Sequence, residues 1–389
     1  MNRKEFLTHF ALAGTAAMMI PSLAKANVFG FGQGKKIRIG VIGCGSVSGV
    51  YLPHLTKSEY VEVVSVCDIK PERAKARAEE FKVPNQYPHI EQLLDGADFD
   101  LLVNLTDMQE HGRLNMLAIL EGRHIWSEKP LANSYKEGKG LMELAKKQGV
   151  KIWGAPTVVN SPQFAFMARQ IQEGKLGTVA AAHGHYGHLG PSWSAFFYEE
   201  LGGSLPDLGV YNLTTLSGLL GPVKSVVAMT NILTPERVVD DKGKIKVVAE
   251  DNASVLMEHA SGAISQVMCG FNYFDPYGHE GTGQDKPTVS IVGTRGAMHL
   301  IGYDWSPFAV EMATIDNEKP QHFATNTGKY VWQEGASVIS ESLIEGYDPL
   351  INVEHSLHVL EIIEAARLSQ KEGRRIHLES VFPYPVIKK

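Results

Sequence analysis

The chain has 389 residues, 44% of them hydrophobic and 21% charged. That is a globular composition with room for about two domains with full cores, and it excludes a disordered tail or a disulfide-stapled mini-protein. Lys and Arg total 37 against 43 Asp and Glu, a net charge of −6, so there is no basic field to neutralise a phosphate backbone and no nucleic-acid partner is expected. The cysteines Cys44, Cys67 and Cys269 are three in number and read as small buried residues, not a disulfide frame.

Residues 1–26 read as a targeting segment. Arg3 and Lys4 give a charged start, 10–20 is a short apolar run, and Ala24-Lys25-Ala26 offers a small-x-small cleavage site. The mature chain is expected to begin at Asn27, in the periplasm or otherwise outside the cytoplasm. The apolar run is too short for a stable membrane anchor, which takes about 20 residues. Asn2-Arg3-Lys4-Glu5-Phe6-Leu7 is similar to a twin-arginine signal with Lys at the second Arg, which leaves twin-arginine and general secretory export both open.

From Lys36 onward, apolar runs at 37–42, 61–67, 101–105, 124–127 and 150–154 alternate with helical stretches. One helix starts at Pro71 with Ala74, Ala78 and Phe81 on one face; others cover about 109–121 and 134–148, the last opened by a Ser134-x-x-Glu137 capping box. The alternation predicts a doubly wound parallel sheet over 36–155. The first turn is Gly43-Cys44-Gly45-Ser46-Val47-Ser48, with Gly49 next. In a strand–turn–helix of this kind Gly43 makes the sharp turn, Gly45 admits a pyrophosphate, and a small third residue, here Ser48, lets the helix pack on the strand. Asp68 ends the second strand, 25 residues past Gly43, where a carboxylate accepts hydrogen bonds from an adenosine ribose and repels a 2′-phosphate. The cofactor expected is NAD, with NADP disfavoured; a helix cap is the structural alternative for Asp68.

Glu128-Lys129-Pro130 follows the fourth of these runs, 124–127, and so falls at a carboxyl edge of the sheet. Asn104-Leu105-Thr106, His111, Glu128-Lys129-Pro130-Leu131 and the downstream Gly202-Gly203-Ser204-Leu205-Pro206-Asp207-Leu208-Gly209-Val210-Tyr211 occur in that order. Together they resemble the glucose-fructose oxidoreductase and inositol dehydrogenase family (Gfo/Idh/MocA) over about residues 36–380. The resemblance implies an α/β fold: a Rossmann domain followed, over 156–389, by an α/β domain with a large, mainly antiparallel sheet. One face of that sheet would form the substrate site and the other an oligomer contact, giving a homodimer or homotetramer. It implies that Lys129 hydrogen-bonds the reacting hydroxyl and the nicotinamide ribose, that Asp207 and Tyr211 complete the catalytic set, and that Thr106, His111 and Glu128 lie near the cofactor. Thr106-Asp107 stands where members commonly have Thr-Pro.

The chemistry is consistent with this. Oxidising a secondary alcohol needs a hydride acceptor, which no side chain supplies, and a base for the hydroxyl proton. Tyr211, four residues past Asp207 on a helix, would share its face. In the second half His183 and His185 alternate on one strand, and His188, Trp193, Phe196, Phe197 and Tyr198 follow. No acid or cysteine completes a compact metal shell, so His185, His188, Trp193 and Tyr198 are read as candidate carbohydrate contacts. A hairpin is expected around Ser261-Gly262, a loop over the site at 271–285, and a closing helix over 350–371.

The expected function is that of an exported NAD(P)-dependent oxidoreductase acting on a sugar, glycoside or polyol, with a tightly held cofactor. The alternatives are a redox-neutral glycoside hydrolase, in which NAD transiently oxidises a ring carbon to permit elimination, and a sugar-binding protein without turnover.

Overall fold

Six short runs, each lined on both sides by helices, form the first sheet: β1 (Ile37–Ile42), β2 (Val61–Cys67), β3 (Asn85–Tyr87), β4 (Leu101–Asn104), β5 (His124–Ser127) and β6 (Ile152–Gly154). All its pairings are parallel and the order is 3-2-1-4-5-6. The crossover helices are α1 (Ser48–Leu55), α2 (Pro71–Phe81), α3 (Ile90–Gly96), α4 (His111–Leu120) and α5 (Tyr135–Gln148). Strands covered on both faces must be apolar throughout; Ile37, Ile39, Val41, Leu101, Leu102 and Val103 are fully buried. The computed structural model describes residues 35–274, 286–325 and 330–387; the expected targeting segment at 1–26 and most of the expected loop at 271–285 lie outside them. Among the described residues no helix is long and apolar enough to cross a membrane.

Two elements go beyond the sequence reading. β3 has three residues, Asn-Gln-Tyr, and α3 has seven, too short for either periodicity to register. At α5 the Ser134 hydroxyl accepts from Glu137 N, but the Glu137 carboxylate reaches Asn133 N, one residue short of a reciprocal capping box.

The second sheet is built from β7 (Val179–Gly187), β8 (Val223–Asn231), β11 (Asn252–His259), β12 (Ile264–Gly270), β13 (Pro287–Gly293), β14 (Gly296–Tyr303), β15 (Ser306–Thr314), β16 (Asn317–Phe323) and β17 (Ile376–His377); β9 (Glu236–Val239) and β10 (Gly243–Lys246) pair separately. The order is 16-15-14-13-7-12-11-8-17, antiparallel except for β7 beside β12. The expected hairpin at Ser261-Gly262 joins β11 to β12. Helices α6 (Pro162–Gln172) and α7 (Val210–Leu220) accompany this sheet, and a Cβ on Gly184 in β7 would meet Asn212 of α7 at 2.8 Å. The other face leaves Val227, Met229, Leu256, Ile264, Met268 and Val292 exposed.

After α8 (Gly335–Glu345), helix α9 (Val353–Glu372) ties the two sheets together. Its Leu357 and Leu360 join the core of the first sheet, and Gly138 leaves room for Leu357, which a Cβ there would meet at 2.5 Å. At its other end Ser369 Oγ accepts from Ala228 N in β8 at 3.1 Å. The carboxyl ends of β1, β4 and β5 are therefore held against the second sheet.

Candidate active site

The turn after β1 is fixed by sterics and by one carboxylate. Gly43 has φ +93°, and a Cβ there would lie 2.6 Å from the Leu105 carbonyl and 2.8 Å from Thr106 N, so only glycine fits. Asp68, 8% exposed at the end of β2, accepts from Cys44 N through Oδ2 and from Lys70 N through Oδ1, both at 2.8 Å. It thus anchors the turn and the entry to α2 together, and each oxygen keeps a lone pair for a further donor. A Cβ on Gly45 would meet only the tip of Arg73, at 3.6 Å, so backbone is bare on the side where an anion approaches. Ser46 is exposed and Val47 half-buried beside it. Ser48 Oγ donates to the Gly45 carbonyl at 2.6 Å and accepts from Arg77 Nε at 3.0 Å, so the hydroxyl ties helix to turn where a third glycine would only make space.

The strand order reverses between β1 and β4, which opens a crevice at their carboxyl ends. Beside it Asn104 Oδ1 accepts from Thr106 Oγ1 at 2.7 Å, and Asn104 Nδ2 donates to Asn115 Oδ1 at 2.9 Å. The buried His111 ring lies between the carbonyls of Pro130 (2.7 Å from Nδ1) and Thr106 (2.9 Å from Nε2); burial pulls its pKa below the usual value, and the neutral ring donates to one of the two. His111 therefore fixes the loops after β4 and β5 relative to each other.

Lys129 sits at the junction of the two sheets. Its Nζ donates to Asp207 Oδ1 at 2.7 Å and to the Asp207 carbonyl at 2.8 Å, and lies 5.3 Å from the centre of the Tyr211 ring. The side chains of Lys129 and Asp207 are 13% and 11% exposed, enough for a small molecule to reach them. A π-helical turn at Leu205–Gly209 precedes α7, so Asp207 and Tyr211 are not on one regular helix as expected; both still converge on the amine. Glu128 turns away from it: Oε1 accepts from Tyr51 OH at 2.6 Å and Oε2 from Lys129 N at 3.1 Å.

On the face of β7 turned to this centre, Tyr186 lies 6.0 Å from Tyr211, 6.2 Å from His188 and 4.9 Å from Tyr303 between ring centres. Desolvation pushes both Tyr186 and Tyr211 well above the usual phenol range, so both rings stay protonated. Strand parity decides the histidines: His188 shares the side of Tyr186, whereas His185 lies on the opposite face, stacked on Tyr273 at 5.6 Å. Tyr198 is 1% exposed and spends its hydroxyl on the Pro191 carbonyl. Trp193 packs edge-on against Phe197 at 4.7 Å, and both Phe197 and Tyr198 meet Phe271, which packs on His188. The structure therefore brings Lys129, Asp207 and Tyr211 together, links His188 to Tyr211 through Tyr186, joins Trp193 and Tyr198 to His188 through the rings of Phe197 and Phe271, and turns His185 to the opposite face of β7. Tyr51, Tyr186, Arg73 and Arg77 went unnoticed in the sequence: the arginines look like an exposed helix face, and the tyrosines follow no motif. Among the described residues no three His, Cys, Asp or Glu side chains group as metal ligands.

Residues 37–155 match the model of an oxidoreductase family with an NAD-binding Rossmann fold, and residues 164–299 match the GFO/IDH/MocA C-terminal domain. The chain belongs to the GFO/IDH/MocA family. Within the family it is similar to the trans-1,2-dihydrobenzene-1,2-diol dehydrogenase of Bos taurus, 24% identical over 85% of this chain and 96% of that one. It is 25% identical to a scyllo-inositol 2-dehydrogenase (NADP(+)) of Bacillus subtilis, over 88% of this chain and 96% of the relative. In fold it resembles the aldose-aldose oxidoreductase of Caulobacter crescentus, complexed with glycerol, at TM-score 0.76 and 19% identity, covering 88% of this chain and all of that one. This GFO/IDH/MocA member is an NAD-binding oxidoreductase, and the bare Gly45 backbone, the start of α1 and the anchored Asp68 fit a dinucleotide.

Proposed function

We propose that the protein is an exported NAD-dependent oxidoreductase that moves a hydride between nicotinamide and a secondary alcohol of a sugar, glycoside or polyol. The observation that carries this is the meeting of Lys129, Asp207 and Tyr211 beside the Rossmann crevice. Relatives named for a diol and an inositol, and a structure named for aldoses, support the substrate class. Bound nicotinamide supplies the hydride acceptor that side chains lack. Lys129 takes the hydroxyl proton in oxidation and returns it in reduction. Asp207 holds the amine in place through two contacts. Tyr211, kept protonated by its surroundings, orients the hydroxyl by donating a hydrogen bond and does not relay the proton. In this reading residues 36–155 hold the cofactor and 156–389 the substrate.

NAD is favoured over NADP because the Asp68 carboxylate, locked by two backbone donors, would accept from the ribose hydroxyls and repel a 2′-phosphate. Asp68→Ala should weaken NAD by about 1–3 kcal/mol, roughly five- to 150-fold. It should also improve NADP binding, since Arg73 and Arg77 are then the charges nearest the turn. Calorimetry with both nucleotides decides it, and unchanged affinities would remove Asp68 from the site.

The 1–26 leader supports export, and the apolar exposed row Val227, Met229, Leu256, Ile264, Met268 and Val292 supports a homo-oligomer through the second sheet. Free nicotinamide is scarce outside the cytoplasm, so the cofactor should be held tightly. Native mass spectrometry of protein from the cell envelope should find chains starting at Asn27, as dimers or tetramers, with nucleotide retained. A full-length monomer would overturn both proposals. The same preparation, given a panel of sugars, polyols and glycosides, should reduce its bound nicotinamide and yield a keto product; free aglycone with no net reduction would point to the hydrolytic alternative instead.

A further inference from the structure

A turn bent against its own preference leads into Asp207. Leu201 has φ +70°, a left-handed conformation that a leucine keeps only where its surroundings impose it. The residues after it are gripped by one ion pair. Arg367 Nη2 donates to the Gly202 carbonyl at 2.6 Å and to Glu250 Oε1 at 3.0 Å, and Arg367 Nε donates to Glu250 Oε2 at 3.1 Å. Glu250 Oε1 also accepts from Leu205 N at 3.2 Å, and the Glu250 carbonyl accepts from Ser204 N at 2.9 Å. Gly203 admits the carboxylate: at its φ of +113° a Cβ would lie 2.3 Å from Glu250 Oε1. A cavity of about 520 Å³, lined by Leu201, Gly202, Glu250 and Arg367 among others, adjoins the turn, so on that side the turn rests on the pair and not on packing.

Both ends of this grip lead to the Lys129 amine. Asp207 N donates to the Gly203 carbonyl at 3.3 Å. Lys129 Nζ contacts the Asp207 carbonyl as well as its carboxylate, so the backbone path of the turn sets part of that contact directly. At the other end Arg367 stands on α9 seven residues past Leu360, on the same face and about 10.5 Å along the axis. Leu357 and Leu360 share a core with Leu131 and Ala132, which follow Lys129-Pro130. One helix thus fixes the segment carrying Lys129 and the turn carrying Asp207 relative to each other.

We propose that Arg367 and Glu250 are positioning residues for the reaction, holding the turn 202–205 so that Asp207 keeps the Lys129 amine aimed at the reacting hydroxyl. This rests on the oxidoreductase reading above and adds to it two residues that act through Asp207.

Two variants loosen the grip with little change in volume. Glu250→Gln keeps an acceptor for Leu205 N but loses the charge; Arg367→Lys keeps the charge but loses the planar fork that spans Gly202 and Glu250. Two readouts are taken on the NAD-loaded protein. Single-turnover reduction of the nicotinamide by the fastest of glucose, xylose, myo-inositol and methyl glucoside should slow tenfold or more, since misplacing a catalytic group by about 1 Å can cost about 10² in rate. NAD affinity by calorimetry should stay within twofold, which also shows that the variants fold; either variant alone decides should the other not fold. Trace reductive methylation, read at Lys129 by peptide mass spectrometry against the exposed Lys319, should quicken threefold or more, because an amine released from its two acceptors is open to the reagent. In an Asp207→Ala background, where the amine has already lost its carboxylate, both effects should shrink at least threefold, which a general loosening of the fold would not reproduce. The proposal is overturned if neither variant slows reduction, if neither changes the labelling of Lys129, or if the effects are undiminished beside Asp207→Ala. If the labelling responds as expected but no alcohol reduces the nicotinamide even in the wild-type protein, the hold on Lys129 stands and the oxidoreductase reading falls.

Discussion

Lys129→Met is expected to abolish hydride transfer while leaving NAD bound. Methionine keeps a side chain of similar length in the cleft but removes the amine that contacts Asp207 Oδ1 and faces the Tyr211 ring. Loss of a positioned general base typically costs about 10²–10⁴ in rate, or roughly 3–5 kcal/mol in the barrier. Tyr211→Phe should cost far less, because a phenol raised well above its usual range by desolvation orients the substrate and does not carry the proton. The double variant should then lose little more than Lys129→Met alone, since a hydroxyl oriented for an absent base brings no further gain. Single-turnover reduction of bound NAD, followed by nicotinamide absorbance, reads all three. A Lys129→Met protein that reduces its cofactor at the wild-type rate would place the base elsewhere. A Tyr211→Phe loss as large as that of Lys129→Met would mean that the phenol does relay the proton.

What could be read in advance divides along physical lines. The parallel sheet was legible because strands buried on both faces leave continuous apolar runs, and the turn at Gly43 because one conformation demands glycine. The place of Asp68 at the end of β2 was legible by its spacing, but its bonds to Cys44 N and Lys70 N depend on a turn whose path the spacing does not contain. The convergence of Lys129 with Asp207 and Tyr211 came from resemblance: residues 78 apart in sequence meet through the packing of two sheets, which no local period encodes. On β7 the reading erred in parity. His183, His185 and the rings after them look like one polar-aromatic group, but the pleat sends His185 outward with Tyr273 and turns Tyr186 toward the amine.

Acid should weaken the fold before most of its carboxylates are protonated. His355, His358 and His124 are buried, and desolvation lowers their pKa values to about 3, about 4 and about 4; His259 and His111 are also lowered by burial. His358 Nε2 accepts from Val223 N at 2.9 Å, and His124 Nδ1 accepts from Lys151 N at 3.0 Å. A second proton on either ring would therefore face a backbone N–H. His355 stacks on Phe382 at 4.2 Å and carries a repulsion from His358. Above pH 6.5 folded and unfolded forms are both neutral at these positions and stability is complete; as pH falls below 6.5 the unfolded chain takes up protons that the folded one refuses, until about pH 4 to 3. Four acids raised by desolvation work the other way: Asp304, Asp107, Glu137 and Glu364. Asp304, raised to about 6, destabilises the fold above pH 6 and ceases to do so as pH drops toward 4; the other three act in the same direction, and together they offset part of the histidine effect. Each tenfold difference in proton affinity between the folded and unfolded chain is worth about 1.4 kcal/mol. The net loss at pH 4.5 is therefore several kcal/mol, a large part of a typical total of about 5–15 kcal/mol. Thermal melts by circular dichroism should fall by about 10 °C or more between pH 7.5 and 4.5. His358→Gln, whose amide oxygen can still accept from Val223 N and whose NH₂ can still donate to Ser380, should melt less steeply with pH. A flat wild-type profile, or an unchanged slope in the variant, would show that these rings accept protons without opening the fold.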